Sequence, residues 1–273
     1  MGNHNYKLLM LDIDGTLLDG LGNISDEDRE AVAEARNSGV QVSLSTGRSI
    51  KACLSVIERL SLDGYHVSFD GALVSNPQRK EEIYAQPIER ESVQQMVEFA
   101  HWHGMDLELY SAAQYFAERE TWSTKAHRDF FRLEPAIVDF AGIWERERII
   151  KGALVATNSR EETAAERFLD HFGDKLHFSQ ARTPAYTGAV FNNILAPKVS
   201  KGRALEALAR HLGIPLADVM AVGDGTNDIA LLSTAGLSVA MGSARDEVKA
   251  VADYVTLDVE HSGLAAAIDK FLL

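Results

Sequence analysis

The stretch LLMLDIDGT, residues 8–16, places two carboxylates directly after a short run of apolar residues. A run of this length and composition predicts a fully buried strand. Asp12 and Asp14 are two positions apart, so their side chains would lie on one face of an ideal strand. Open α/β sheets bind ligands at the carboxyl ends of their strands, where carboxylates can hold Mg²⁺ or act as nucleophiles. An ordinary Asp-Gly turn would have the same sequence, so this stretch alone does not establish a metal-binding or catalytic site.

Short apolar runs alternate with amphipathic segments near both ends of the chain, from Tyr6 to Leu73 and from Ser200 to Leu257. This alternation predicts a parallel sheet that is covered by helices on both faces. The middle of the chain is less regular and contains all three tryptophans, which favours an inserted α+β domain. We therefore predict a Rossmann-like, doubly wound α/β core made of residues 1–83 and 188–273. Residues 84–187 would form the inserted α+β domain.

The composition limits the classes of protein and partner. Apolar residues make up 46% of the 273 residues and charged residues 25%, as in globular proteins. A net charge of −13 argues against general binding to nucleic acid or to an anionic membrane. Cys53 is the only cysteine, which excludes an internal disulfide and a cysteine-rich zinc site. No apolar run is long enough to span a membrane and no signal peptide is recognisable, so we expect a cytoplasmic protein.

A second acidic motif, GDGTND at residues 223–228, also follows an apolar run directly. Asp224 and Asp228 are four positions apart where a turn becomes a helix, which would bring one carboxylate to a metal and the second close behind it. A glycine-rich loop with Asn227 or Asp228 as helix cap is the alternative interpretation.

Two further signals would supply groups that bind anions. In STGR, residues 45–48, a hydroxyl and the backbone N–H groups after it predict a phosphate-binding turn, although an ordinary ST-turn has the same pattern. Lys201 stands at a predicted helix start, where a cation is unfavourable unless an anion lies nearby or the side chain is solvated. Three of the four motifs follow a predicted strand, so they would meet at one edge of one sheet. Together they form the set of groups that phosphoryl transfer requires.

In their order and spacing, these four segments resemble the motifs of the haloacid dehalogenase-like (HAD) superfamily. The insert and the stretch VAMGSA, residues 239–244, are similar to the Cof-type branch with a type IIB cap domain. The resemblance implies a Mg²⁺-dependent phosphatase that hydrolyses small phosphomonoesters, such as sugar phosphates or related metabolites, through an aspartyl-phosphate. A cap domain implies a small phosphorylated metabolite as partner and neither nucleic acid nor membrane. Asp70-Gly71 departs from the usual Asn-Gly of the family, and Asn193 stands where Glu is frequent.

The resemblance also implies roles in catalysis and metal binding. Asp12 would be the nucleophile, Asp14 the general acid and base, and Lys201 the cation that steadies the nucleophile and the phosphoryl group. The Mg²⁺ ligands would be Asp12, the backbone carbonyl of Asp14, and Asp224. Asp228 would bind the metal, directly or through water, or would orient Lys201.

Phosphate binding would involve Thr46, Gly47 and Asn227, together with the nucleophile and the lysine. Arg48 is the first candidate for a contact with the substrate because it follows the phosphate-binding turn directly. Arg182 is a further candidate for such a contact.

Two other functions remain open on the sequence. A hexose-phosphate phosphomutase shares this type of cap domain and would return the phosphoryl group to sugar instead of water. A non-catalytic module that binds phosphate or Mg²⁺ as a signal is the second alternative, and the pairing of Asp12 with Asp14 argues against it.

Overall fold

The computed structural model describes residues 6–181 and 188–273. The chain divides into two units, the first comprising Met1–Tyr84 and Ser200–Leu273 and the second Ala85–Val199. Among the described residues, no helix has the length and apolar character that a membrane span requires.

The strands and helices are numbered along the chain. The strands are β1 Leu8–Leu11, β2 Gln41–Leu44, β3 His66–Ser68, β4 Leu73–Asn76, β5 Glu81–Ala85, β6 Leu107–Tyr110, β7 Tyr115–Ala117, β8 Pro135–Ile137, β9 Lys151–Ala156, β10 His177–Ala181, β11 Val190–Leu195, β12 Val219–Gly223, β13 Leu237–Ala240 and β14 Tyr254–Val255. The helices are α1 Asp26–Asn37, α2 Ile50–Arg59, α3 Arg90–His103, α4 Trp122–Phe131, α5 Ile143–Arg146, α6 Ser159–Phe172, α7 Lys201–Leu212, α8 Ile229–Leu232, α9 Asp246–Lys249 and α10 Gly263–Phe271.

The first unit is built on a parallel sheet with the strand order β14-β13-β12-β1-β2. Successive residues of β1 enter two different cores: Leu9 and Leu11 pack in one apolar cluster, and Leu8 and Met10 in the other. A strand buried on both faces must be apolar at every position, which explains the unbroken run at the start of the chain. The predicted fold class, a parallel α/β sheet covered by helices, is confirmed.

A small sheet of β3, β4 and β5 continues the first unit beyond β2. The backbone N–H of Thr46 donates to the carbonyl of Val67, which places β3 beside the chain that leaves β2. The sequence predicts β3 but not β4 and β5. The polar residues Gln78–Glu82 interrupt the apolar pattern there, and β5 itself is only partly buried.

The second unit contains a six-stranded sheet with the order β10-β11-β9-β6-β7-β8. Neighbouring strands are antiparallel except for β7 and β8, which are parallel. Side chains from α3 and α6, including Met96, Phe168 and Phe172, pack with strand residues in one apolar cluster. This sheet includes β11, which pairs with β9 and β10, whereas the sequence assigned residues 188–199 to the other domain. The predicted boundary at residue 187 lies outside the described residues.

The sequence predicted both ends of α1 from Ser25 and Gly39, and the structure has these residues in the predicted roles. The Ser25 hydroxyl accepts from the Asp28 N–H at the start of α1, as its position before the helix predicts. Gly39 follows that helix with a φ of 97°, as expected for a terminating glycine. The helix predicted over 227–235 is shorter: a 3₁₀ turn, Thr226–Asp228, precedes the single turn of α8.

Candidate active site

Three parallel strands of the first unit end side by side, and the acidic and hydroxyl motifs follow them. The register aligns Leu11 with Leu44 and with Val222, so the residues after these positions share one sheet edge. The Ser45 N–H donates to the Leu11 carbonyl at 2.7 Å, and the Asp12 N–H donates to the Val222 carbonyl at 3.0 Å. The strand ends therefore bring together motifs that are more than two hundred residues apart in the chain.

Lys201, the first residue of α7, is completely buried at this edge. Its Nζ lies 2.6 Å from Asp12 Oδ1 and 2.6 Å from Asp228 Oδ1. Burial on its own lowers the pKa of Lys201, but the charges of Asp12 and Asp228 outweigh it and raise that pKa above its ordinary value. The lysine is therefore a permanent cation between two carboxylates, and the interpretation of a solvated surface lysine is excluded.

The carboxylate of Asp228 has both oxygens occupied. Oδ1 accepts from Lys201, and Oδ2 accepts from the backbone N–H groups of Asp224 at 3.1 Å and Gly225 at 2.9 Å. Asp228 is also fully buried. Of the roles that the resemblance leaves open, this geometry favours orienting Lys201 and the 223–228 loop over direct metal binding.

Three carboxylates converge around this lysine: oxygens of Asp12, Asp224 and Asp228 lie within 4.8 Å of one another. Burial and the nearby Asp228 and Asp224 raise the pKa of Asp12 well above its ordinary value, although Lys201 acts in the opposite direction. Burial and Asp228 raise the pKa of Asp224 to about 7. One lysine does not neutralise three crowded carboxylates, and their hard oxygen donors fit Mg²⁺. The donor set present at this edge is thus suited to a divalent cation.

The shifted pKa of Asp224 predicts how the stability of the metal-free protein depends on pH. The unfolded chain loses this proton near pH 3.8 and the folded chain near pH 7, so the folded state binds more protons between these values. The contribution of this group to the free energy of unfolding therefore falls as the pH rises from about 4 to about 7. Urea denaturation of the metal-free protein at a series of pH values, compared with Asp224→Asn, measures it. A difference between the two proteins that stays constant over this range would contradict the prediction.

Asp14 lies apart from the carboxylate cluster, with its side chain 53% exposed. Arg48 binds it through two nitrogens: Nε donates to Asp14 Oδ2 at 2.8 Å, and the second guanidinium nitrogen donates to Oδ1. The expectation that Asp12 and Asp14 share a strand face is therefore wrong, because β1 ends at Leu11 and the chain turns at Gly15, whose φ is 86°. One carboxylate of the motif faces the buried lysine, and the other remains accessible to solvent.

The predicted phosphate-binding residues are linked to the acidic loop by Asp70. Its N–H donates to the Thr46 carbonyl at 3.0 Å, and its Oδ1 accepts from Asn227 Nδ2 at 2.8 Å. A Cβ on Gly47 would lie 2.9 Å from the same Oδ1. The Thr46 hydroxyl is buried and accepts from the Arg48 N–H at 3.2 Å. The sequence identified Asp70 only as a departure from the family pattern, and the Asp-Gly pair after the third strand was the signal that could have placed it here.

Gly71 allows this part of the site to pack against the start of α7. Its φ is 102°, and a Cβ at this position would lie 2.2 Å from the Ser200 carbonyl oxygen. We expect Gly71→Ala to destabilise the protein by about 3 kcal/mol, from the strained backbone and the forced shift of α7 together. Gly22→Ala is the matched control, because Gly22 has a φ of 81° but open space around it, and it should cost only about 1 kcal/mol. Equal unfolding free energies for the two variants in urea would refute the steric argument.

All nine predicted site residues lie in the first unit, and the contacts above connect them into one region around Lys201. Arg182, the further candidate for a substrate contact, lies outside the described residues. Thr16 was missed by the sequence analysis: its hydroxyl lies 3.4 Å from Asp224 Oδ1. As the last residue of the DIDGT motif, it could have been found from its position four residues after Asp12.

Comparison with known proteins identifies the family of this chain. A family model described as haloacid dehalogenase-like hydrolase matches residues 9–268. A Streptococcus pyogenes serotype M6 protein named as a candidate phosphatase is 32% identical over 278 residues, covering 98% of this chain and 99% of the relative. The phosphatase YwpJ of Bacillus subtilis is 28% identical over 285 residues, covering 97% of this chain and 100% of the relative. Among solved structures, the HAD subclass IIB sugar phosphatase BT4131 superposes with a TM-score of 0.80 at 27% identity, covering 98% of this chain and 100% of that one.

Proposed function

Because this chain belongs to the haloacid dehalogenase-like hydrolase family and is a phosphoric monoester hydrolase, we propose that it is a Mg²⁺-dependent phosphatase working through an aspartyl-phosphate on Asp12. The observation that carries this proposal is the buried lysine held between Asp12 and Asp228, with Asp224 in the same cluster. The first unit would be the catalytic core and the second unit the type IIB cap domain that selects the leaving group.

The chemistry follows from the two oxygens of Asp12. Lys201 holds Oδ1, which leaves the other carboxylate oxygen to attack phosphorus as the bond to the leaving oxygen breaks. A bound Mg²⁺, held by Asp12, Asp224 and the backbone carbonyl of Asp14, would neutralise charge on the phosphoryl oxygens. Lys201 supplies a second positive charge to the same oxygens, and Asp228 keeps its ammonium group in place.

Asp14 carries the protons in both half-reactions. It donates a proton to the leaving oxygen in the first, and in the second it takes a proton from the water that cleaves the aspartyl-phosphate. Its exposed position suits this exchange. Arg48 would leave Asp14 and contact the substrate, whose dianionic phosphate competes for the guanidinium group. Thr46, Gly47 and Asn227 would bind the remaining phosphoryl oxygens.

Small phosphorylated metabolites, sugar phosphates first, are the substrates we propose. One structural relative is named a sugar phosphatase of subclass IIB, and other relatives are named for phosphate esters of pyridoxal and of a ribityl compound. A panel of phosphorylated metabolites ranked by kcat/KM would identify the preferred leaving group.

Hydrolysis of p-nitrophenyl phosphate tests the proposed reaction directly. We expect turnover in Mg²⁺ that disappears after chelation and returns when Mg²⁺ is added in excess. Asp224→Ala should raise the Mg²⁺ concentration for half-maximal activity by about 100-fold or abolish activity, because a ligand carboxylate is lost. The matched control is Asp246→Ala, on the exposed surface of α9, which should leave the Mg²⁺ dependence unchanged.

Two outcomes would contradict the proposal. Unchanged Mg²⁺ dependence in Asp224→Ala would refute the metal site. Phosphate release that requires a sugar bisphosphate activator would favour the phosphomutase, since a phosphatase passes the phosphoryl group to water without one.

A further inference from the structure

A cavity of about 540 Å³ lies in the first unit, at the edge of the sheet where the strands begin. Leu8 and Gln41, the first residues of β1 and β2, line it, as does Tyr65 directly before β3. Asp12 follows the opposite end of β1, four residues after Leu8. At about 3.3 Å per residue, Asp12 lies roughly 13 Å from the part of the cavity that Leu8 lines. The cavity is therefore distinct from the phosphoryl-transfer site.

The cavity concentrates cationic side chains in an acidic protein. Arg36 and Arg79 line it, although the chain has 40 acidic residues against 27 lysines and arginines. Within residues 6–181 and 188–273, neither arginine has a carboxylate oxygen within 4.0 Å of its guanidinium group. Arg36 uses one nitrogen to donate to the Leu60 carbonyl at 3.2 Å. The remaining guanidinium donors are available to an anion.

The walls around these cations are held in place by other contacts. The Tyr65 ring packs edge-on against His211 with a centroid separation of 4.7 Å, and its hydroxyl donates to Glu81 at 2.7 Å. Asn76 is buried and donates to the Asp63 carbonyl oxygen at 3.1 Å. Asp63 contributes the one carboxylate among the described lining residues. Cations outnumber it, so the lining favours an anion despite the acidity of the whole chain.

We propose that this cavity binds a small polyanion, a metabolite bearing several phosphate or carboxylate groups. Arg36 and Arg79 would each present a planar pair of N–H donors to an oxyanion, the geometry in which arginine binds these groups most strongly. The volume is in the range of about 300–1,000 Å³ that is usual for sites of small ligands. The occupant is chemically different from the monoester at the catalytic edge, because binding here requires no metal.

Isothermal titration of the metal-free, chelator-free protein with tripolyphosphate, and separately with citrate, tests this assignment. Arg36→Gln combined with Arg79→Gln should weaken binding at least tenfold. The control pair Arg160→Gln with Arg245→Gln removes the same charge from exposed positions that do not line the cavity, and it should change the affinity less than twofold.

A second variant tests the cavity without changing any charge. Gly64 lines the cavity, and a Cβ there would meet only the Val42 carbonyl oxygen, at 3.9 Å. Gly64→Leu should therefore fill the space and weaken binding at least tenfold, while p-nitrophenyl phosphate hydrolysis and the melting temperature stay near those of the parent protein.

The two probes distinguish the anion classes. Binding of tripolyphosphate alone would assign a phosphate-bearing ligand, binding of citrate alone a carboxylate, and binding of both a general polyanion site. If neither probe binds, or if the control pair weakens binding as much as the cavity pair, the inference is overturned. The same holds if Gly64→Leu is folded and active but binds both probes normally.

Discussion

Asp12→Asn is expected to lower kcat for p-nitrophenyl phosphate by about 10⁴-fold or more, because an amide cannot form the acyl phosphate and removal of a reacting group typically has this effect. The fold should survive. Asn has nearly the same shape, and Lys201 keeps its ion pair with Asp228. Steady-state kinetics, with circular dichroism and the melting temperature as folding checks, provide the measurement.

Asp14→Asn is the comparison that separates the two acidic roles. It removes proton transfer but leaves the nucleophile, so kcat should fall by about 10²–10⁴-fold and a phosphoenzyme should still be trapped in an acid quench. Asp12→Asn should yield no phosphoenzyme at all. Our assignment of the nucleophile would be wrong if Asp12→Asn kept more than a small fraction of activity, or if it formed the covalent species.

Lys201→Met is the change with the largest expected effect on stability. It leaves the buried carboxylates of Asp12 and Asp228 without their common cation, and breaking a buried pair typically costs about 3–5 kcal/mol. Urea denaturation without divalent ions should show this loss, and Mg²⁺ should recover part of it by neutralising the Asp12 carboxylate. Activity should also fall, since the lysine stabilises the transferring phosphoryl group in our mechanism.

Lys198→Met provides the matched control for this experiment. Lys198 is exposed, three residues before the buried lysine, so its replacement should change the free energy of unfolding by less than about 0.5 kcal/mol. Similar losses in the two variants would mean that burial and pairing of Lys201 contribute nothing specific, and the electrostatic account of the site would fail.

Those features that depend on local pattern were predictable from the sequence. The apolar run before Asp12 predicted a central strand, and the position of three motifs after strands predicted that they meet at one edge. Both inferences use rules that hold along a few residues, together with the geometry of parallel sheets. The cap residue Ser25 belongs to the same class.

Features that depend on distant pairing were not predictable. No local pattern around Arg48 indicates that its guanidinium group binds Asp14, 34 positions away. No local pattern around Asp70 indicates its hydrogen bond with Asn227, 157 positions away. The sheet that β11 joins was not predictable for the same reason. A buried apolar strand suits either sheet, and only its partners decide which one it joins. The complete burial of Lys201 was not predicted from the local sequence either, although the resemblance implied its neighbours Asp12 and Asp228.

The central place of β1 in its sheet also determines how the two acidic residues of the first motif can move. β1 is flanked by strands on both sides and buried on both faces, and the Asp12 amide continues its pairing to Val222. Segments of this kind open only when the whole cooperative unit unfolds, whereas exposed turns fluctuate freely. Thermal fluctuation that leaves the unit folded therefore does not displace the Asp12 backbone. Asp14, two residues later on an exposed turn, would become mobile once Arg48 releases it. In the mechanism that we propose, one short motif would therefore combine a fixed nucleophile with a mobile proton carrier.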